Sequence, residues 1–191
     1  MNIAIIGAGR IGSGYGKLWL SAGHAVTYGV RTPDARPDMT VSSIPEAVRH
    51  AEVVLLAIPG AAVEAVTADL ELTGKVLIDA TNGAPPGESP ERLQRSKPAA
   101  RVVRAFNYYG FDLLGHSSFR GVKADAFLCG DDTQARGIVA ELATAAGFTP
   151  VDLGDLSNAG AQDSLLGVWF ALSKRLGTRT LGFKVLHNER V

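Results

Sequence analysis

This chain has little cysteine, no excess of either charge and no long apolar run. Its 191 residues contain one cysteine, Cys129. A lone cysteine forms no internal disulfide, which excludes a disulfide-stapled scaffold and fits a reducing, cytoplasmic location. Lysine plus arginine number 19 and aspartate plus glutamate also 19, for a formal net charge of zero. A neutral chain has no overall field to gather nucleic acid or an anionic membrane surface, so neither is expected as a partner. No apolar stretch approaches the roughly 18 residues of a membrane span. The apolar start at residues 2–7 is shorter than a signal h-region and has no basic segment before it, so no secretory signal is expected. The histidines are few as well. His24, His50, His116 and His187 show no Ser, Cys or Asp partner at a telling spacing, and are expected at the surface.

What is present is a rhythm of short apolar runs and amphipathic stretches. With 46% hydrophobic and 20% charged residues, the composition is that of a soluble globular protein, and the length suits one domain. Buried strands are predicted at 3–6, 25–30, 53–58, 76–79, 101–106, 125–129 and 149–152, with a short one at 40–41. Helices are predicted at 11–21, 45–50, 61–70 and 133–146, the last opened by Asp131 and Asp132, since acidic groups favour a helix N-terminus. Residues 31–37 read as a charged, Pro-rich loop and 83–90 as a Gly/Pro loop, while 108–118 is ambiguous between loop and short helix. Residues 157–175 read as a longer helix, apolar on more than one face, which places it against the sheet or in a subunit interface. Strands alternating with helices imply a parallel sheet with right-handed crossovers. The expected fold is therefore α/β: a Rossmann-type, doubly wound, mostly parallel sheet with a C-terminal helical extension. It forms a single domain, 1–191, in which 157–191 is the extension.

The first turn carries the chemistry. Gly7-Ala8-Gly9-Arg10-Ile11-Gly12 is a G-x-G-x-x-G that follows a strand and opens a helix, the context that gives this pattern meaning. Gly7 permits the tight turn, Gly9 lets backbone approach a pyrophosphate, and Gly12 lets the helix pack close to the sheet. The helix N-terminus offers free N–H groups and partial positive charge to phosphates. Arg10 is placed to reach a phosphate or cover an adenine, and Ile11 opens the apolar stripe of the helix. NAD sites carry an acidic residue at the end of the second strand, roughly 20 residues on. Here the stretch reads Tyr28-Gly29-Val30-Arg31-Thr32, with no acid at the strand end. Arg31 is positioned for a ribose 2′-phosphate, with Thr32 as a hydroxyl donor and Arg36 as a second charge. The expected cofactor is NADP(H). Two other strand ends are expected to face the same crevice: Ala57-Ile58-Pro59, and the turn after Asp79, where Asn82 serves the nicotinamide side, a substrate or the turn itself. No metal is called for.

Beyond this turn the chain resembles a known family. GAGRIG at 7–12, AIPG at 57–60, VVRAFN at 102–107, CGDD at 129–132, PVDLGDLSNA at 150–159 and LGFKVL at 181–186 recur in the same order. Together they resemble the NADPH:8-hydroxy-5-deazaflavin oxidoreductases and their dinucleotide-binding relatives. The same domain type resembles the cytoplasmic part of the membrane ferric reductases, which pass hydride from NADPH to a flavin. The resemblance implies hydride transfer between NADP(H) and a planar ring, a flavin or 8-hydroxy-5-deazaflavin, and a homodimer in which the C-terminal helix takes part. It implies that Arg31 binds the 2′-phosphate and that Ile58, Pro59, Ala105, Phe106 and Asn107 line the nicotinamide. The chain departs from the pattern at Val30, where a serine is expected, at Gly160-Ala161-Gln162-Asp163 in place of a Leu-Glu pair, and at Tyr108-Tyr109. These departures bear on the hydride acceptor more than on the cofactor.

Direct hydride transfer needs two rings at near-attack distance, about 3–3.5 Å, and little acid–base help. No catalytic residue is therefore assigned. Asn107 is the positioning candidate, Tyr108 or Tyr109 either meets a substrate ring or packs in the core, and Cys129 reads as a small buried hydrophobe. Two alternatives stand beside a ring-acceptor reductase: a reductase of carbonyls or imines, and an NADP(H)-binding sensor without turnover.

Overall fold

The computed structural model describes residues 1–34, 36–186 and 188. One position of the 31–37 loop, His187 and the end of the 157–191 extension lie outside the described residues. From the N-terminus run β1 (Asn2–Ile6), α1 (Arg10–Ser21), β2 (Ala25–Val30), β3 (Val41–Ser43), α2 (Ile44–Arg49), β4 (Val53–Leu56), α3 (Val63–Thr67) and β5 (Val76–Asp79). They are followed by α4 (Glu88–Ser96), β6 (Arg101–Ala105), the hairpin β7 (Ser118–Phe119) and β8 (Val122–Lys123), β9 (Asp125–Cys129), α5 (Thr133–Ala145), β10 (Thr149–Asp152) and α6 (Ala159–Leu176).

The main sheet has eight strands in the order β10-β9-β6-β5-β4-β1-β2-β3. From β3 to β6 this is the doubly wound order, all parallel, and its reversal between β1 and β4 is the switch point beyond which ligands bind. The central strands are fully buried because both faces are covered, which is why they read as unbroken apolar runs. One face packs Ile5, Leu55, Ile78 and Val103 with Tyr15 and Trp19 of α1. The other packs Ala4, Ile6, Val54, Leu56 and Leu77 with Val48 and Leu93. The indole N–H of Trp19 donates to the Leu142 carbonyl at 2.9 Å, which joins α1 to α5.

The main architecture matches the expectation, and several details differ. β9 joins β6 antiparallel, through Arg104↔Cys129 and Ala105↔Leu128. The 83–90 stretch is loop only in part, since α4 starts at Glu88. Gly87 takes φ +80° just before it, and Pro90 sits in its first turn, where a missing N–H costs nothing. The predicted 61–70 helix ends at Thr67 and opens with a 3-10 turn, Gly60–Ala62. The strand predicted at 101–106 ends at Ala105, because Phe106 turns the chain with φ +71°. In the ambiguous stretch only a single 3-10 turn forms, Phe111–Leu113, and the small hairpin after it was not foreseen.

The C-terminal helix is not buried all round. α6 buries Ala159, Gln162 and Trp169, and leaves Val168, Phe170, Leu172 and Leu176 exposed. The Trp169 indole donates to the Leu181 carbonyl at 3.1 Å, and the Asp125 amide donates to the Phe183 carbonyl at 2.9 Å, so the tail runs back beside β9. Among the described residues no helix is long and apolar enough to cross a membrane.

Candidate functional site

The three glycines of the first turn meet different surroundings. At Gly7, φ is +104° and a Cβ would lie 2.5 Å from the Ala57 carbonyl oxygen. At Gly12 a Cβ would lie 2.0 Å from the Gly7 carbonyl oxygen. Both positions are closed by packing of β1, β4 and α1. Gly9 differs, with nothing within 4 Å of its Cβ position. Gly9 is also the residue at which α1 begins, with no side-chain cap and no acidic residue in the first turn. Its carbonyl accepts the first helical bond, from Ser13 N–H at 2.8 Å. The amides of residues 10–12 therefore face the open end of a twelve-residue helix. Open backbone, uncapped donors and the positive end of the helix dipole suit a pyrophosphate.

At the end of β2, Arg31 and Thr32 are exposed, and no carboxylate pairs with Arg31 among the described residues. Asp34 instead takes Arg36, whose Nε donates to it at 3.0 Å. Thus Arg31 keeps its charge available for a second phosphate, whereas the charge of Arg36 is already partly balanced.

From the glycine turn a cleft of about 330 Å³ extends toward α6. The expected residues Gly9, Arg10, Ile11, Ala57 and Asn82 line it together with Tyr109, Gly110, Phe111, Leu166, Trp169, Phe170 and Arg179. Arg10 lies over the Phe111 ring at 4.4 Å and Arg179 over the Trp169 ring at 5.0 Å. Arg179 also donates to Asp112 at 3.0 Å. A flat aromatic-walled cleft with two guanidinium groups suits a planar, electron-rich ring. The α6 and tail residues were not assigned from sequence. Their signal in the sequence is the adjacent aromatic pair Trp169-Phe170 in the middle of α6.

Not every expected residue reaches the cleft. Ala105 is fully buried in the core, and Asn107 is 2% exposed. The Asn107 amide is held inside: its Nδ2 donates to Asp163 at 2.7 Å, and its Oδ1 accepts from Gln162 Nε2 at 3.1 Å. Ile58 packs against Gly7, and Pro59 is exposed and leads into the 3-10 turn. Tyr108 belongs to the core. Its hydroxyl donates to the Asp125 carbonyl at 2.9 Å and accepts from Phe127 N–H at 2.6 Å. Tyr109 does line the cleft, and its hydroxyl shares a 2.6 Å hydrogen bond with that of Tyr15. Burial holds both phenols well above their ordinary pKa, so each is a proton donor and not a base at neutral pH. Burial likewise pushes the Cys129 thiol up to about 12, and it is no nucleophile. His50 and His116 are exposed and His24 is half-buried, all outside the cleft lining.

Beneath the cleft lies a buried ion network at the ends of β5 and β6. Arg104 Nη1 is 3.0 Å from Asp79 and Arg104 Nε is 2.8 Å from Asp163. Asp79 also accepts from Thr81 and Ser89 hydroxyls, each at 2.7 Å. Every charge in it has a charged or hydrogen-bonded partner, the condition under which buried ions persist.

Comparison with known proteins points to the same fold. The family model "NADP oxidoreductase coenzyme F420-dependent" matches residues 2–83, the segment from β1 to just past β5. The crystal structure of a candidate F420-dependent NADP reductase from Arthrobacter sp. FB24 superimposes with TM-score 0.87 at 29% identity, over 98% of this chain and 100% of that one. Metalloreductase STEAP3 of Rattus norvegicus is 31% identical over 175 residues, 83% of this chain and 35% of that protein. The chain thus spans about a third of the length of the curated relatives it matches. A reductive aminase from Aspergillus terreus, solved with NADPH and ethyl levulinate, shares the fold with TM-score 0.74 at 23% identity, over 91% of this chain and 62% of that one. These similarities show a Rossmann-type fold shared with NADP-dependent oxidoreductases.

Proposed function

We propose that this protein binds NADP(H) across the Gly7–Gly12 turn and serves hydride transfer between its nicotinamide and a planar ring of the flavin or deazaflavin kind. The observation that carries this reading is the open Gly9 position at the uncapped start of α1, continuous with an aromatic-walled cleft. The α1 amides hold the pyrophosphate, and Arg31 with Thr32 holds the 2′-phosphate. When bound, NADPH supplies the hydride. Ala57 and Asn82 border the nicotinamide end, and Phe111 and Phe170, backed by the buried Trp169, face the acceptor and exclude water from the reacting faces. The exposed apolar residues of α6 fit a homodimer that closes the outer side of the cleft.

One observation favours a second reading, reduction of a carbonyl or imine. The Tyr109 phenol on the cleft, paired with Tyr15, can supply the proton that such a substrate needs.

The test is NADPH oxidation by the purified protein, with NADH as control, against FMN, FAD, a deazaflavin and a panel of ketones and imines. Turnover with a ring acceptor and an NADPH preference is the expected result. Turnover with ketones or imines alone selects the second reading. Tight NADPH binding without turnover on any acceptor overturns both and leaves a sensor or a substrate of another class.

A further inference from the structure

We propose that Asp163 is a positioning residue of the cleft, which holds Asn82 at the nicotinamide end by way of Asn107. The inference rests on the cofactor reading above. Asn82 is exposed on the loop after β5, where a short polar side chain has several rotamers open to it. Its orientation is set by Asn107: Asn82 Nδ2 donates to the Asn107 carbonyl at 2.9 Å, and Asn82 Oδ1 accepts a longer bond from Asn107 Nδ2 at 3.5 Å. That carbonyl belongs to a turn which does not hold itself. Phe106, just before it, has φ +71°, a conformation an L side chain rarely adopts. Such a turn persists only where its surroundings over-determine it.

The surroundings are supplied from α6. Asp163 Oδ1 accepts from Asn107 Nδ2 at 2.7 Å and from Arg104 Nε at 2.8 Å, and Oδ2 accepts from Gly87 N–H at 2.8 Å. One carboxylate, 9% exposed, therefore ties together β6, the turn after it and the start of α4. Leu166, one turn further along α6, and Trp169 and Phe170, two turns along, form the opposite wall of the cleft. Asp163 thus fixes the Asn82 wall relative to the aromatic wall, and two partners of the carboxylate are buried, where charge-assisted bonds are strongest. It belongs to the segment 160–163, one of the stretches in which this chain departs from the sequences it resembles.

The test needs no turnover. Two probes are titrated calorimetrically: NADPH, and 2′,5′-ADP, which carries the adenine-side phosphates and lacks the nicotinamide. Proteins compared are the wild type, Asp163→Asn, Asn82→Ala and the double variant. Asp163→Asn keeps the shape but leaves one of the three bonds without an acceptor. The expected result is about tenfold weaker NADPH in each single variant, an unchanged affinity for 2′,5′-ADP, and a double variant no weaker than Asn82→Ala alone. Equal losses for both probes would make Asp163 merely structural and overturn the proposal, as would unchanged NADPH binding or additive losses in the double variant. Should Asp163→Asn fail to fold, Asp163→Glu keeps the charge for Arg104 while displacing the oxygens, and is read by the same criteria. A wild type that binds neither probe refutes the cofactor reading itself, and is thereby told apart from a failure of the Asp163 proposal.

Discussion

The Cβ position of Gly12 lies 2.0 Å from the carbonyl oxygen of Gly7, so helix and turn approach more closely than any side chain permits. Three residues before Gly12, the Gly9 position is empty for 4 Å around. The two glycines therefore serve different ends. Gly12→Ala is expected to destabilise the fold by about 1–3 kcal/mol or more, since backbone must move to admit the methyl group. Gly9→Ala is expected to change stability by under about 0.5 kcal/mol, because Gly9 has φ −78° and open space. It nonetheless weakens NADPH, whose pyrophosphate needs that space. Thermal melts and NADPH titration of the two variants check the contrast. Loss of stability in Gly9→Ala would show that the position is structural.

Arg31 is exposed at the end of β2 and free of carboxylates among the described residues. A charge-assisted contact of a guanidinium with a phosphate is worth about 1.5–3 kcal/mol, or roughly ten- to a hundredfold in affinity. Arg31→Ala is expected to weaken NADPH by that factor and NADH by less than about twofold. Arg36→Ala has a smaller effect, because Asp34 already holds Arg36. Equal loss of NADPH and NADH in Arg31→Ala would remove the phosphate argument.

The glycine turn and the sheet core were legible in the sequence because both depend on neighbours close along the chain. Gly7, Gly9 and Gly12 declare a strand–turn–helix within six residues, and the strand Val53–Leu56 is apolar throughout because helices cover both of its faces. What was illegible depends on partners far away. Gln162 and Asp163 stand out in the sequence only as a departure from the family pattern with no assigned partner, since Arg104 and Asn107, which use them, lie more than fifty residues earlier. The resemblance puts Ala105 and Asn107 on the cleft, yet Ala105 is buried within β6, paired with Leu128, and Asn107 is held inside by Asp163 and Gln162. Helix α4 was missed for a local reason: Pro90 and the many charged residues leave Leu93 as its main apolar anchor, too little for a visible period.

Arg104 stands between Asp79 and Asp163 with its side chain 3% exposed. Arg104→Met fills similar volume but strands two buried carboxylates. The expected cost is about 3–5 kcal/mol, which for a chain of this size lowers Tm by roughly 6–20 °C. The surface pair Arg92–Glu88 at 3.5 Å is the control. Being half exposed, it should lose under about 1 kcal/mol in Arg92→Ala. If the two variants melted alike, the buried network would not be holding the strand ends.

All four tyrosines, Tyr15, Tyr28, Tyr108 and Tyr109, are buried, and burial raises the pKa of each phenol in the folded state. In the unfolded chain each loses its proton near the ordinary value of about 10. Above that pH the unfolded state binds fewer protons than the native state, so stability falls as pH rises. The contribution of the phenols is fully present below about pH 10 and is lost as pH climbs toward their folded pKa values, by up to about 1.4 kcal/mol per pH unit for each phenol. Urea melts from pH 8 to 11 should show a plateau and then a steep decline. Tyrosinate absorbance should stay absent from the native protein and appear together with the loss of circular dichroism. Tyr15→Phe should make the decline shallower by one proton, at the cost at neutral pH of the hydroxyl partner of Tyr109. Half-ionised tyrosine at pH 10 with the dichroism intact would mean that water reaches these phenols.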